Sequence, residues 1–224
     1  MRRATPVVRR SVLVLSTACF IAGAALLAWP FFHSAVSGYA TGKAQAEALA
    51  AWDREPEQYA SPPNRDMVLE IPRLGLRRIV PDGATVRQLQ RYGVGHISWT
   101  AFPPIDPGTI PLQAGPAANT VGASATMDQA SQTVGIAGHR TTYGAPFFRI
   151  GELVPGDQII LFYAGRRYVY RMDRRATTGP SDSDILDAGA DHVALVTCTP
   201  AFSAAFRLIV FGRLESASAS VAAH

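Results

Sequence analysis

Residues 11–32, SVLVLSTACFIAGAALLAWPFF, run for 22 positions without a charge. A helix of that length reaches about 33 Å, enough to cross roughly 30 Å of hydrocarbon. Arg2, Arg3, Arg9 and Arg10 precede the run, and no acidic residue occurs before Glu47. Basic residues stay on the cytoplasmic side, so the pattern predicts a cytoplasmic N-terminus and an exported remainder. A cleaved signal peptide is the rival reading. Its apolar region usually holds about 7–15 residues, so the length favours an anchor. LSTAC is only a weak lipoprotein box, because Cys19 sits mid-run and Ser16 stands where Leu is usual. Trp29 and Phe31 suit the outer interfacial belt.

The charge balance narrows the partners. The chain carries 21 basic and 17 acidic residues. Its net charge of +4 is matched by the four arginines of the tail, and the remainder is neutral overall. Nothing in that distribution suggests a phosphate-binding surface, so nucleic acid is excluded as a partner. A chain of 224 residues, 48% hydrophobic, has room for one domain with a buried core plus appendages.

Beyond the anchor, residues 43–52 (KAQAEALAAW) are rich in helix formers and predict a juxtamembrane helix. Residues 53–65 carry three prolines and read as a linker. The folded domain is expected from about Met67. MVLEI and LRRIV read as short strands. TVRQLQRYG reads as a short helix capped by Thr85 and ended by Gly93. TVGIAGH is an apolar strand, and PFFRIGEL reads as a helical turn or two. QIILFY and RYVYRM flank AGR as a hairpin. HVALVTC and FRLIVFGRL are the last strands. About seven short strands with small helices predict a β-barrel or a sandwich. Residues between Thr100 and Thr133 form a long loop of prolines and small residues, a kind usually functional or disordered. The predicted divisions are a basic tail (1–10), an anchor (11–33), a stalk and linker (34–66), a catalytic domain (67–215) and a disordered small-residue tail (216–224).

Export changes how Cys198 reads. Exported cysteines usually pair, yet the second cysteine, Cys19, lies in the apolar run. Cys198, in LVTCTP, is either a buried small hydrophobe or a reactive thiol. A cysteine nucleophile needs a proton-transfer partner and a group that stabilises the oxyanion. Of five histidines, His33 abuts the membrane and His224 ends the chain. His192 starts the strand of Cys198, about 20 Å back. His139, at the end of TVGIAG, and His96, in GVGHIS, remain; spacing favours His139 only mildly. Arg207 opens the strand after Cys198, where antiparallel pairing can bring it opposite the thiol. Its fixed charge could hold an oxyanion.

Together, GHRTTYGAPFFRIGELVPGDQI, LVTCTP and RLIVFGRL resemble a sortase. IPRLGL, and PGD before a strand, are also similar to that family's layout. HRTTYGAPF most resembles the class E and class D housekeeping enzymes of actinobacteria and relatives. Sortases are membrane-anchored cysteine transpeptidases of Gram-positive cell surfaces. The resemblance spans roughly residues 67–214 and implies a closed eight-stranded barrel. It implies Cys198 as nucleophile on the Thr–Gly carbonyl of an LPxTG- or LAxTG-like sorting signal. His139 would be general acid and then base, and Arg207 would hold the oxyanion and orient the peptide. Thr197 would support the oxyanion. The implied partners are sorting-signal-bearing surface proteins and an amine of a peptidoglycan precursor, lipid II-like. No cofactor or metal is implied. The chain departs from the family where a brief PGxPGN-like turn is replaced by the long loop before TVGIAGH. No second apolar span near the C-terminus is present, which favours protein anchoring over pilus assembly.

Two other readings compete. An L,D-transpeptidase would carry His two residues before its cysteine, where this chain has Val196. A catalytically inactive, membrane-tethered β-domain that binds peptide or glycan would need none of the three groups.

Overall fold

Alternating burial along short apolar segments builds a single sheet. The computed structural model describes residues 6–59, 64–104, 132–182 and 186–219. Helix α1 (Pro6–Arg54) leads into β1 (Met67–Ile71) and β2 (Leu76–Val80), followed by α2 (Val86–Tyr92). Then come β3 (Val94–His96), β4 (Val134–Gly138), β5 (Gln158–Tyr163), β6 (Arg166–Thr178), β7 (His192–Thr199) and β8 (Phe206–Ala219). The strand order is β2-β1-β5-β6-β8-β7-β4-β3. The edge strands β2 and β3 meet where the His96 N–H donates to the Pro81 carbonyl at 3.0 Å. The sheet is thus a nearly closed eight-stranded barrel.

Two pairings set the site. β4 runs parallel to β7, with Ala137 beside Val196. β7 runs antiparallel to β8, with Cys198 opposite Arg207. The long strands β6 and β8 slip register between Val169 and Tyr170 and between Met172 and Arg174. Such bulges bend strands around a barrel. The β5–β6 hairpin turns on Ala164 and Gly165, with φ of 48° and 70°. Positive φ at both central residues is the primed-turn geometry that matches strand twist.

The main core lies inside the barrel and includes Leu69, Ile71, Ile136, Phe147, Leu161, Tyr168, Val193, Leu195 and Val210. A second cluster joins Leu186, Ala194, Ile209 and Phe211, with Ile97, Ala176 and Val196 packed against it. Alternation therefore sends Ala194 and Val196 to the opposite face of β7 from Val193 and Leu195.

The structure departs from the sequence reading in four places. The stalk is no separate segment, because α1 continues unbroken to Arg54, about 73 Å in all. Thr41, Gln45 and Trp52 are buried, one helical face spaced by about four and seven residues. Trp52 packs with Val68 and Ile79, so the folded unit starts before Met67. Within the expected linker, Pro56–Tyr59 form a 3-10 turn, and Tyr59 stacks on Trp52 at 4.5 Å. β3 is an additional strand, three residues long. Finally, β8 extends to Ala219, and Ser216 to Ala219 pair with Val169 to Arg166. That ordered pairing corrects the disordered tail expected from residue 216; residues 220–224 lie outside the described residues, as do 105–131 of the long loop.

The apolar run lies within α1. Leu13, Val14, Phe20, Ile21, Leu26 and Leu27 are all exposed. The helix is long and apolar enough to cross a membrane.

Candidate active site

β4, β7 and β8 bring the three sequence-predicted groups to one end of the barrel. Cys198 and Arg207 are directly opposed partners, so their side chains share a face. Extending the parallel register from Ala137 and Val196 by two residues places His139 beside Cys198. Neighbouring strands lie about 4.8 Å apart. A side-chain bond holds that extension in place, since Thr197 Oγ1 donates to the Gly138 carbonyl at 2.8 Å. Cys198, His139 and Arg207 are all half-buried, open enough for a substrate yet partly shielded from water. They continue the face that carries Ala194, Val196, Ile209 and Phe211, which gives the site an apolar floor.

The His139 main chain is fixed on both sides. Its N–H donates to the Gly93 carbonyl at 2.9 Å, and its carbonyl accepts the Phe147 N–H at 3.0 Å. The ring lies 4.8 Å from that of Tyr143. Nδ1 is 3.2 Å from Thr142 Oγ1, whereas Nε2 has no hydrogen-bond partner among the described residues. Burial holds the His139 pKa below the ordinary imidazole value.

His96 separates clearly from His139. It is fully buried, with Nε2 2.9 Å from the Ala101 carbonyl and 3.2 Å from Thr100 Oγ1. Its Nδ1 lies 3.5 Å from Asp82. Burial lowers its pKa, opposed by the Ala101 carbonyl and Asp82. This is a structural histidine at the barrel seam. His192 is buried at the far end of β7, with Nδ1 2.6 Å from Asp191 Oδ1.

Thr197, to which the resemblance gives oxyanion support, has its side chain bonded to the histidine strand. It is buried, and its hydroxyl proton is directed at Gly138. In this arrangement the hydroxyl ties the cysteine strand to the histidine strand. Arg207 Nη1 donates to the Ala204 and Phe206 carbonyls, which braces one nitrogen of the fork against the β7–β8 loop.

Sequence reasoning missed Arg140. Its Nη1 donates to the Cys198 carbonyl at 3.1 Å, which anchors the end of β7 from the residue after His139. The one available signal was an arginine adjacent to the candidate histidine. Among the described residues, no group of three His, Cys, Asp or Glu is placed to hold a metal ion.

Comparison with known proteins agrees with the fold. The sortase domain family matches residues 111–215. Sortase E1 from Streptomyces coelicolor, solved with a tripeptide in its active site, is 28% identical with a TM-score of 0.52. That alignment covers 71% of this chain and 93% of the solved one. Over residues 111–215 the chain is similar to the sortase domain, and it shares the sortase fold. The curated Streptomyces coelicolor sortase SrtE1 is 35% identical over 101 residues, which are 41% of this chain and 29% of that relative. The matched segment thus spans less than a third of the curated relative's length. A sortase E variant from Streptomyces avermitilis is 26% identical over 70% of this chain and 91% of its own, with a TM-score of 0.50. A sortase D5 transpeptidase from Clostridium perfringens, 22% identical with a TM-score of 0.55, shares the fold over 80% of this chain and 99% of its own.

Proposed function

We propose that the chain is a single-pass membrane sortase, N-terminus cytoplasmic and barrel outside. It cleaves an LPxTG- or LAxTG-like sorting signal between Thr and Gly and joins the new acyl end to a cell-wall amine. The observation that carries this reading is the shared strand-end level of Cys198, Arg207 and His139.

The geometry supports the following roles. Cys198 Sγ attacks the Thr carbonyl carbon, and a C–S bond forms. His139, with Nε2 unpartnered, gives its proton to the departing glycine nitrogen as the C–N bond breaks. It then accepts a proton from the incoming amine, whose nitrogen attacks the thioester and releases the thiolate. Arg207 faces the cysteine across the β7–β8 ladder and carries a permanent charge toward the developing oxyanion. Arg140 and Thr197 hold the two strand ends in register. The clients are surface proteins bearing the signal. The acceptor is an amine of a lipid II-like peptidoglycan precursor.

The full chain in detergent, given LPxTG and LAxTG peptides with an added amine, should release the C-terminal glycine fragment and form the amide product. Both should vanish in Cys198→Ala. Undiminished cleavage in that variant would overturn the mechanism. Absence of cleavage with binding retained would favour a binding domain.

A further inference from the structure

The segment of α1 beyond the apolar run makes contacts that a spacer would not need. Gln45 is almost completely buried. Its Nε2 donates to the Ile79 carbonyl at 2.9 Å and to the Tyr92 carbonyl at 2.7 Å, and its Oε1 accepts the Ile79 N–H at 2.8 Å. Both amide protons and the amide oxygen are therefore engaged. One turn earlier, Thr41 Oγ1 donates to the Gln90 carbonyl at 3.0 Å. All three carbonyls and the one amide belong to β2 and α2 main chain, so the helix is bonded to backbone that side-chain rearrangement cannot move away.

Those bonds lead directly to the catalytic histidine. Tyr92 precedes Gly93, whose carbonyl accepts the His139 N–H at 2.9 Å. A Cβ on Gly93 would stand 2.8 Å from the Tyr143 carbonyl oxygen, so the loop after His139 lies tightly against this point. The other side of that loop meets α1 itself. A Cβ on Gly38 would stand 3.6 Å from the Gly144 nitrogen, and one on Gly144 would stand 3.7 Å from Thr41 Cγ2. The loop from His139 to Phe147 is thus packed between the α2 C-terminus and α1.

We infer that the face of α1 formed by Gly38, Thr41 and Gln45 supports the catalytic site, with Gln45 a positioning residue that sets His139 through Tyr92 and Gly93. The inference rests on the proposed role of His139. Glutamine suits the position because its planar amide donates twice and accepts once, at a reach one methylene longer than asparagine's. Methionine has nearly the same length and no donor, so Gln45→Met removes the bonds while keeping the volume.

The test uses the full chain in detergent micelles, with ring-labelled histidine. The His139 resonance is assigned by its loss in His139→Asn. Gln45→Met and Gln45→Ala should each shift the His139 ring signals. They should lower kcat for the sorting peptide roughly 10-fold, with KM within about twofold, the pattern of a misplaced reacting group. Lys43→Ala, whose exposed side chain pairs with Glu47, should change neither readout. Unchanged His139 signals and unchanged kcat in Gln45→Met would overturn the inference. So would a lower melting temperature with normal kcat and normal His139 signals, which is the signature of a merely structural glutamine. If the wild-type chain cleaves no sorting peptide, the proposed function fails, and the ring signals still decide whether Gln45 positions His139.

Discussion

Gly138→Ala probes the tightest contact beside the site. Gly138 is the last residue of β4 and precedes His139. A Cβ there would stand 2.4 Å from Phe147 Cδ2 and 2.7 Å from both Cε2 and Cγ. Phe147 is fully buried in the barrel core, so the ring cannot swing into solvent. Either the ring or the end of β4 must move, and forced overpacking of this kind costs about 1–3 kcal/mol. For a domain of this size each kcal/mol lowers Tm by about 2–4 °C, so the expected fall is roughly 2–12 °C. Displacement of β4 also carries His139 away and strains the Thr197–Gly138 bond. Peptide turnover should fall about 10-fold or more at a temperature where the variant is folded. Phe147→Leu removes the ring edge that the methyl meets. The double variant should therefore be less destabilised than the two single losses combined, by about 0.5–3 kcal/mol. Thermal melts and steady-state peptide cleavage on the four proteins measure both effects. A Gly138→Ala protein that melts within a degree of wild type, or strictly additive losses, would refute the packing argument.

Arg207→Ala should lose about 100-fold or more in turnover, and Arg207→Lys should not restore it, because a point charge lacks the planar fork; full activity of the lysine variant would contradict this. His96→Ala should lower Tm while leaving turnover of the folded protein largely intact, since its ring bonds the Thr100–Ala101 turn and lies 3.5 Å from Asp82; a loss matching His139→Ala would contradict the assignment. Burial depresses both His96 and His139 below the ordinary 6.5, so below that pH the unfolded chain binds more protons than the folded one. Tm should be highest above pH 6.5 and fall as pH drops through and below it, and a Tm that rises on acidification would refute the sign. The rate limb belonging to His139 should likewise lie below pH 6.5.

Much of this architecture could be read from residue order. HVALVTCT and FRLIVF alternate or run apolar, and the short turn between them forces antiparallel pairing. Cys198 therefore falls opposite Arg207, as the register shows. The Ala164–Gly165 turn likewise announced the β5–β6 hairpin. What escaped depends on partners distant in sequence. β3 has three residues, one of them glycine, too few for a period. The docking of α1 relies on Thr41 and Gln45, polar side chains bonded to backbone, and hydropathy cannot register such bonds. The tail after Leu214 is small and polar, yet a long partner strand, β6, gives its backbone a ladder. Arg140 reaches the Cys198 carbonyl only because β4 and β7 run parallel, a pairing no local pattern specifies. His96 and His139 looked alike among their glycines; full burial of His96, with Nε2 on the Ala101 carbonyl, told it apart from half-buried His139.

Trapping the acyl-enzyme tests the central claim most directly. The full chain is mixed with a sorting peptide without added amine, quenched in acid, digested and analysed by mass spectrometry. A thioester-linked acyl fragment ending at Thr should appear on the peptide that contains Cys198. It should disappear on addition of amine and be absent in Cys198→Ala. An acyl fragment on another residue, or cleavage with no trace of the adduct under conditions that preserve thioesters, would contradict the account.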